Sequence, residues 1–368
     1  MNLHMKICIL GHYPSSGEPF AGVSRVVYSL SHELSELGVE LFLLKKKRYS
    51  SIFRKLGCKK DKKITICQVS HIELIIDLVN NKYDSITIHN ISFFFLIPLI
   101  LKKLNLIACK IVFVSHGLID LEKQEKRYDY PLRYSFYQKL FFFWSDQIVS
   151  VSNQLKENIV NYYSINPSKI TVINNGVGGI FFNRSSAKLD ALPDKYALYV
   201  GEIARVKGLD FLLDSMQRVE LPIVLIGHSS SYLEVLKIKF SELFEKGKVI
   251  HLENLTEDEL LAAYSNATFL ALVSRHEPYG LVSLEAMASG KPVIVSDKVG
   301  AKEVIENGRD GFIVPFGDVE SLVDSMNFIL NNRLDARKIG LLAQDKAVQN
   351  TWSKKAILYL KMYEEIIV

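Results

Sequence analysis

Short unbroken runs of Val, Ile, Leu and Phe recur along the chain, separated by stretches whose apolar residues fall three or four apart. Residues 6–10 read as a strand. From Gly22 to Leu37, the residues Val23, Val26, Val27, Leu30, Leu34 and Leu37 share one helical face, and Gly38 is placed to end that helix. Further strands are predicted at 40–44, 64–69, 85–89, 110–115, 147–151 and 169–173, with helical segments between most of them. Apolar runs without polar alternation indicate strands buried on both faces. Strand alternating with helix indicates a parallel sheet. Residues 174–195 break the pattern with Gly176, Gly178, Gly179, Ser185, Ser186 and Pro193, the composition of a connector. The alternation then restarts, with strands at 196–200, 222–226, 248–252, 267–273, 292–295 and 311–314 and a last helix at 352–367. The pattern predicts an α/β protein of two doubly wound, Rossmann-like domains facing a central cleft. In such sheets ligands bind beyond the carboxyl ends of the strands, so function is expected in strand-to-helix loops.

Composition narrows the class. The 368 residues are 48% hydrophobic and 23% charged, ample for a core without disulfides, which excludes a disordered chain, a fibre or a small disulfide scaffold. Net charge is +5, but residues 1–175 hold 23 Lys and Arg against 14 Asp and Glu, and residues 176–368 hold 22 against 26. The basic half either faces an anionic partner or is a solvated surface. Lys45, Lys46, Lys47, Arg48, Lys59, Lys60, Lys62 and Lys63 stand alongside the aromatic runs 93–95 and 141–144. Basic residues near exposed aromatics would suit an anionic membrane surface and a lipid-linked acceptor. In the alternative the aromatics are core and the lysines are in water. No nucleic-acid-binding motif accompanies the charge. Cys8, Cys58, Cys67 and Cys109 form no C-x-x-C pair and no zinc spacing, and Cys8 and Cys109 read as core thiols in a reducing compartment. The first ten residues lack the pattern of a signal peptide, and the longest apolar run, 91–101, is too short to cross a bilayer. A cytoplasmic protein, peripheral on the inner face of the cell membrane, is expected.

Four loops carry candidate chemistry. The first, 11–24, has no G-x-G-x-x-G, but Gly22 opens a helix whose N–H groups could approach a phosphate. The second, Ser115-His116-Gly117, ends a strand with a histidine able to bond a ligand hydroxyl or phosphate. His89, similarly placed, shows how weak that signal is alone. The third, 200–209, holds Arg205 and Lys207 near Gly201 and Gly208, two fixed charges that a departing diphosphate would need. The fourth, 274–290, holds Glu277, Gly280 at a helix start, and Glu285 about two turns in. A carboxylate can accept both hydroxyls of a vicinal diol. The backbone N–H groups of Gly280, Leu281 and Val282 could hold a phosphate. Taken alone, Glu285 reads as a helix residue on a wet face.

The fourth loop resembles the retaining glycosyltransferases of family 4, which have the GT-B fold. Their hallmark is a Glu, seven residues and a second Glu in the setting E-P-F-G-L-x-x-x-E-A-M-A-x-G-x-P-V-I. Here it runs from Glu277 to Glu285 and on to Ile294, with Tyr279 for the usual Phe. The resemblance extends to residues 21–27, 151–153 and 174–177, and to Gly300, Glu303, Gly308 and Gly311. It implies an acceptor-binding domain at 1–176, a nucleotide-sugar domain at 177–350, and a helix at 351–368 crossing back to the first. By position, Glu277 would contact donor-sugar hydroxyls, Glu285 the ribose, and Gly280, Leu281 and Val282 phosphate and ribose. Lys207 would contact the diphosphate, Gly22 would approach it from the other domain, and His116 would lie near the sugar. Leu255 stands where the base is contacted through backbone.

Two departures bear on the donor. Glu202 stands where the family commonly has Arg, so Arg205 is expected to supply that charge; Ala21 and Ser24 replace a usual Gly and Glu. The resemblance implies transfer of a hexose from a UDP- or GDP-linked sugar to a hydroxyl acceptor, with retention at the anomeric carbon. A lipid-linked or cell-surface polysaccharide precursor would suit as acceptor. His116, Arg205, Lys207 and Glu277 would be the catalytic set. No D-x-D is present, so neither a metal nor a cofactor is expected. A nucleotide-sugar epimerase of the same fold and a non-catalytic nucleotide-sugar binder are the alternatives.

Overall fold

The computed structural model describes residues 5–13, 22–46, 58–61, 63–124, 131–183, 185, 189 and 192–367. The chain divides into two compact units: Met1–Asp120 with Tyr130–Asn175 and Trp352–Val368, and Leu121–Asp129 with Gly176–Thr351.

The first unit runs β1 (Lys6–Leu10), α1 (Gly22–Glu36), β2 (Glu40–Lys46), β3 (Cys58–Asp61), β4 (Ile64–Val69), α2 (His71–Asn80), β5 (Ser85–Ile88), α3 (Phe93–Lys103) and β6 (Lys110–Ser115). It continues through α4 (Ile119–Gln124), α5 (Leu132–Trp144), β7 (Gln147–Ser150), α6 (Asn153–Tyr163) and β8 (Ile170–Val172). The eight strands lie in the order β3-β4-β2-β1-β5-β6-β7-β8, all parallel except β3. Ile7, Ile9, Ile86, Ile88, Val112 and Val114 have no measurable exposure. Their strands are covered on both faces, as the unalternating apolar runs require.

The second unit runs β9 (Ala197–Val200), α7 (Leu209–Met216), β10 (Ile223–Ile226), α8 (Ser231–Lys239), α9 (Ser241–Glu245), β11 (Val249–Leu252), α10 (Glu257–Asn266) and β12 (Phe269–Leu272). Then follow α11 (Leu281–Ala288), β13 (Val293–Ser296), β14 (Phe312–Val314), α12 (Val319–Asn331) and α13 (Arg333–Val348). Its six parallel strands lie in the order β11-β10-β9-β12-β13-β14. That is the doubly wound order, with the chain stepping outward one way from β9 and then the other way from β12. The last helix, α14 (Trp352–Ile367), packs on α1 in the first unit, and its Tyr363 hydroxyl lies 2.6 Å from Thr87 Oγ1 of β5.

Three features go beyond the sequence pattern. The lysine-rich segment at 58–61, for which no strand was predicted, is an edge strand. Lys59 and Lys60 on an edge discourage pairing with a further strand. Cys58 lies opposite Cys67 across the antiparallel β3–β4 pair, and the two form a disulfide that their spacing did not suggest. Cys8 remains a free, buried thiol and Cys109 a free, half-buried one. The aromatic runs are split: Phe94, Phe95, Phe141 and Phe142 are core, whereas Phe93 and Phe143 are exposed. Ala21, Lys47, Arg48, Lys62 and Ser186 lie outside the described residues.

Candidate functional site

In the second unit the strand order reverses between β9 and β12, so the loops after these two strands flank the switch point of the sheet. The loop after β9 ends in a tight turn, Arg205–Lys207, and Gly208. Gly208 has φ +69°, and a Cβ there would stand 2.1 Å from the carbonyl oxygen of Val273, just past β12. Only glycine lets the two loops close this far. The Arg275 backbone N–H donates to Val206 O at 2.8 Å, and the Arg275 guanidinium donates to Arg205 O at 2.6 Å. The same guanidinium grips both carboxylate oxygens of Asp210 in α7, at 2.7 and 2.6 Å. Burial alone would raise the Asp210 pKa, but the hydrogen bonds and charge of Arg275 outweigh it and hold the carboxyl below its usual range. Arg275 and Asp210 thus clamp the two loops. No sequence signal marked either.

The clamp carries Lys207 to Glu277. The Lys207 ammonium donates to Glu277 Oε2, and the two side chains keep only 9% and 16% of their surface. Glu277 is itself fixed through its backbone: its N–H donates to Lys298 O at 3.2 Å, and its carbonyl accepts from Gly300 N–H at 2.9 Å. An ammonium has three donors, so one bond to Glu277 leaves two for a ligand. Arg205 is exposed at the start of the turn.

Gly280 precedes α11 with φ +92°, and a Cβ there would meet Leu272 Cδ2 at 2.7 Å. Among the described residues, no side chain caps this helix. The N–H groups of Leu281 and Val282, both half-buried, therefore face outward without intrahelical acceptors. An uncapped N-terminus with positive dipole character favours an anion. Glu285 lies little more than one turn into α11, nearer its start than expected. It is 2% exposed and accepts a 2.7 Å bond from the Tyr264 hydroxyl of α10, so it is not on a wet face. Tyr264 is a further residue that the sequence did not mark. Leu255 is half-buried in the loop after β11, beside Asn254 with φ +56°. The structure thus brings Lys207, Glu277 and Gly280 together, holds Glu285 inside against α10, and leaves Leu255 on a separate loop.

In the first unit, Gly22 opens α1 with φ +49°, and no described residue lies within 4 Å of where a side chain would start. His116 follows β6, and its Nε2 lies 3.1 Å from His89 Nδ1. Burial pushes the His116 pKa down to about 4, and burial with the neighbouring His116 ring lowers that of His89 as well. Among the described residues, no group of three or more His, Cys, Asp or Glu side chains is arranged to hold a metal ion. Nor is any described helix long and apolar enough to cross a membrane.

Two α/β units built on largely parallel sheets are the architecture of the GT-B glycosyltransferases. The solved sucrose-phosphate synthase from Thermosynechococcus elongatus superposes with a TM-score of 0.79 at 19% identity, over 98% of this chain and 99% of that one. HepE from Anabaena, in complex with UDP-glucose, gives 0.77 at 18% identity, over 98% and 100%. The chain belongs to glycosyltransferase family 4: residues 20–178 match the model described as Glycosyltransferase Family 4, and residues 182–345 match Glycosyl transferases group 1. Its fold is of the GT-B type. Among curated relatives, the capsular polysaccharide biosynthesis glycosyltransferase CapM of Staphylococcus aureus is 26% identical over 235 residues, 60% of this chain and 61% of that protein. The chain spans 52–61% of the length of the first curated relatives that it matches.

Proposed function

We propose that the protein is a retaining hexosyltransferase. It moves a hexose from a UDP- or GDP-linked sugar to a hydroxyl acceptor, a lipid-linked or cell-surface polysaccharide precursor. The observation that carries this reading is the Lys207–Glu277 pair beside the uncapped start of α11. One ammonium, one carboxylate and a row of free N–H groups suit a molecule with a diphosphate at one end and alcohols at the other. That HepE was solved with UDP-glucose supports this class of donor, and the name of CapM supports a polysaccharide setting.

Catalysis on this reading is mainly electrostatic. As the glycosidic bond lengthens, negative charge collects on the leaving diphosphate, and groups already aimed at it lower the barrier. Lys207 and the N–H groups of Leu281 and Val282 meet that charge, and Arg205 adds a second cation in place of the arginine that Glu202 has displaced. Glu277 orients the sugar through its hydroxyls, and Glu285 takes the ribose. Gly22, His116 and Leu255 are assigned to phosphate, sugar and base. No divalent ion is given a part. The incoming hydroxyl attacks the face the phosphate leaves, and the phosphate takes its proton.

The acceptor reading is supported by α5. Leu132, Arg133, Phe136, Lys139 and Phe143 are all exposed and recur at helical spacing along one side, and α5 contains no acidic residue. An apolar stripe set with cations fits an anionic lipid surface.

A thermal-shift panel of UDP-, GDP- and ADP-linked sugars tests the donor. A ligand at about 100 times its Kd adds roughly 2.7 kcal/mol of stability. A clear shift with one base, lost on Lys207→Ala, is expected; no shift with any member would defeat the reading.

A further inference from the structure

His89 follows β5, which lies beside β1 where the first sheet reverses its strand order. It therefore occupies the switch point of that sheet, the place where parallel sheets bind ligands. Gly11, at the end of β1, lies against it; a Cβ there would stand 3.4 Å from His89 Cβ. The next strand, β6, delivers His116. The two rings are within 22° of parallel, with His89 Nδ1 and His116 Nε2 3.1 Å apart. One proton lies between these nitrogens, and one ring donates it to the other.

The other two ring nitrogens differ in surroundings. His89 is 3% exposed, and its Nε2 is buried with no hydrogen-bond partner among the described residues. His116 is only half-buried, and its bond to His89 uses Nε2, leaving Nδ1 for a ligand. Burial keeps both rings neutral at pH 7, so each carries one proton. If His116 donated from Nε2, the His89 proton would sit on a sealed Nε2 with no acceptor. Buried N–H groups without an acceptor are rarer than buried acceptors without a donor. If His89 donates from Nδ1, only a lone pair is sealed in, and the His116 proton moves to Nδ1.

We propose that His89 is a positioning residue: its Nδ1–H donates to His116 Nε2, holds that ring in place and fixes the His116 proton on Nδ1. His116 then presents a hydrogen-bond donor to an oxygen of the transferred sugar. The inference rests on the assignment of His116 to the sugar.

Long-range 1H–15N correlation NMR on the full chain, labelled with 15N-histidine at pH 7, reads the tautomers directly. Nine histidines are few enough to resolve, and no substitution has to fold for the wild-type spectrum. The expected result is Nδ1–H on both His89 and His116, against the Nε2–H form that a free histidine prefers. A proton on His116 Nε2 overturns the proposal. Release of the nucleoside diphosphate from the donor gives a second readout. His89→Phe should lower kcat about tenfold, the worth of one hydrogen bond, with little change in KM. His89→Asn, whose amide can put an N–H where His89 Nδ1 stood, should recover most of that loss; equal losses in the two variants overturn positioning. Unchanged turnover in His116→Ala removes His116 from the sugar and sinks the assignment on which the proposal rests. Reduced turnover there, with the His116 proton found on Nε2, keeps that assignment and rejects the tautomer.

Discussion

Lys207 and Glu277 neutralise one another in a setting where each alone would be a poorly solvated charge. Removing the lysine has two effects. It leaves a carboxylate with one partner fewer, and on the proposed function it takes away the cation that would meet a leaving diphosphate. The second effect dominates turnover, because preorganised charge is worth most where charge develops. Lys207→Ala is therefore expected to reduce nucleoside diphosphate release by about 100-fold or more, with an unchanged far-UV circular dichroism spectrum. Near-normal turnover would take Lys207 out of the mechanism. The two histidines give a pH effect of definite sign. Their pKa values are lowered in the folded protein, that of His116 from 6.5 to about 4. Between those values the unfolded chain binds more protons than the folded one, so stability falls as pH falls. Each such histidine contributes a slope of about 1.4 kcal/mol per pH unit. Urea midpoints should decline from pH 6.5 toward pH 4, and less steeply in His116→Phe. A parallel decline in that variant would assign the slope to other groups.

At the scale of elements, the site depends on two loops closing on each other more than on any one helix. Gly208 is the point of closest approach, with left-handed backbone and the Val273 carbonyl where a Cβ would lie. Gly208→Ala should cost about 2 kcal/mol or more and lower donor affinity with it, since the loop must move away from β12 to make room. Full stability in a chemical denaturation series would mean the loops tolerate the shift. Strand and helix positions were legible in the sequence because apolar runs of four to six residues have few other uses. The edge strand Cys58–Asp61 was not. Two lysines and an aspartate show no hydrophobic period, and only pairing with β4 makes them a strand. The same pairing puts Cys58 opposite Cys67 and joins them, at odds with the reducing compartment that free core thiols suggested.

For the molecule as a whole, the charge difference between the halves has a structural counterpart in α5, where arginine and lysine alternate with exposed Leu132, Phe136 and Phe143. Co-flotation with vesicles containing anionic lipid, strong at low salt and lost in Phe136→Ser/Phe143→Ser, is the expected outcome. No co-flotation at low salt would leave α5 a solvated surface, and a concentration-dependent dimer abolished by the same changes would make it a self-association face. By itself the sequence determined the two α/β domains and the strand-to-helix loops that hold Lys207, Glu277 and Gly280, because these follow from hydrophobic period, glycine placement and local spacing. Tertiary structure alone decided the partners. Arg275 with Asp210, Tyr264 with Glu285, and His89 with His116 are pairs from different strand–helix segments, and no local pattern encodes a contact made across 65, 21 or 27 residues. The physical reason is that a hydrogen bond is satisfied by whatever folding brings within 3 Å or so, while period and propensity report only on near neighbours in the chain.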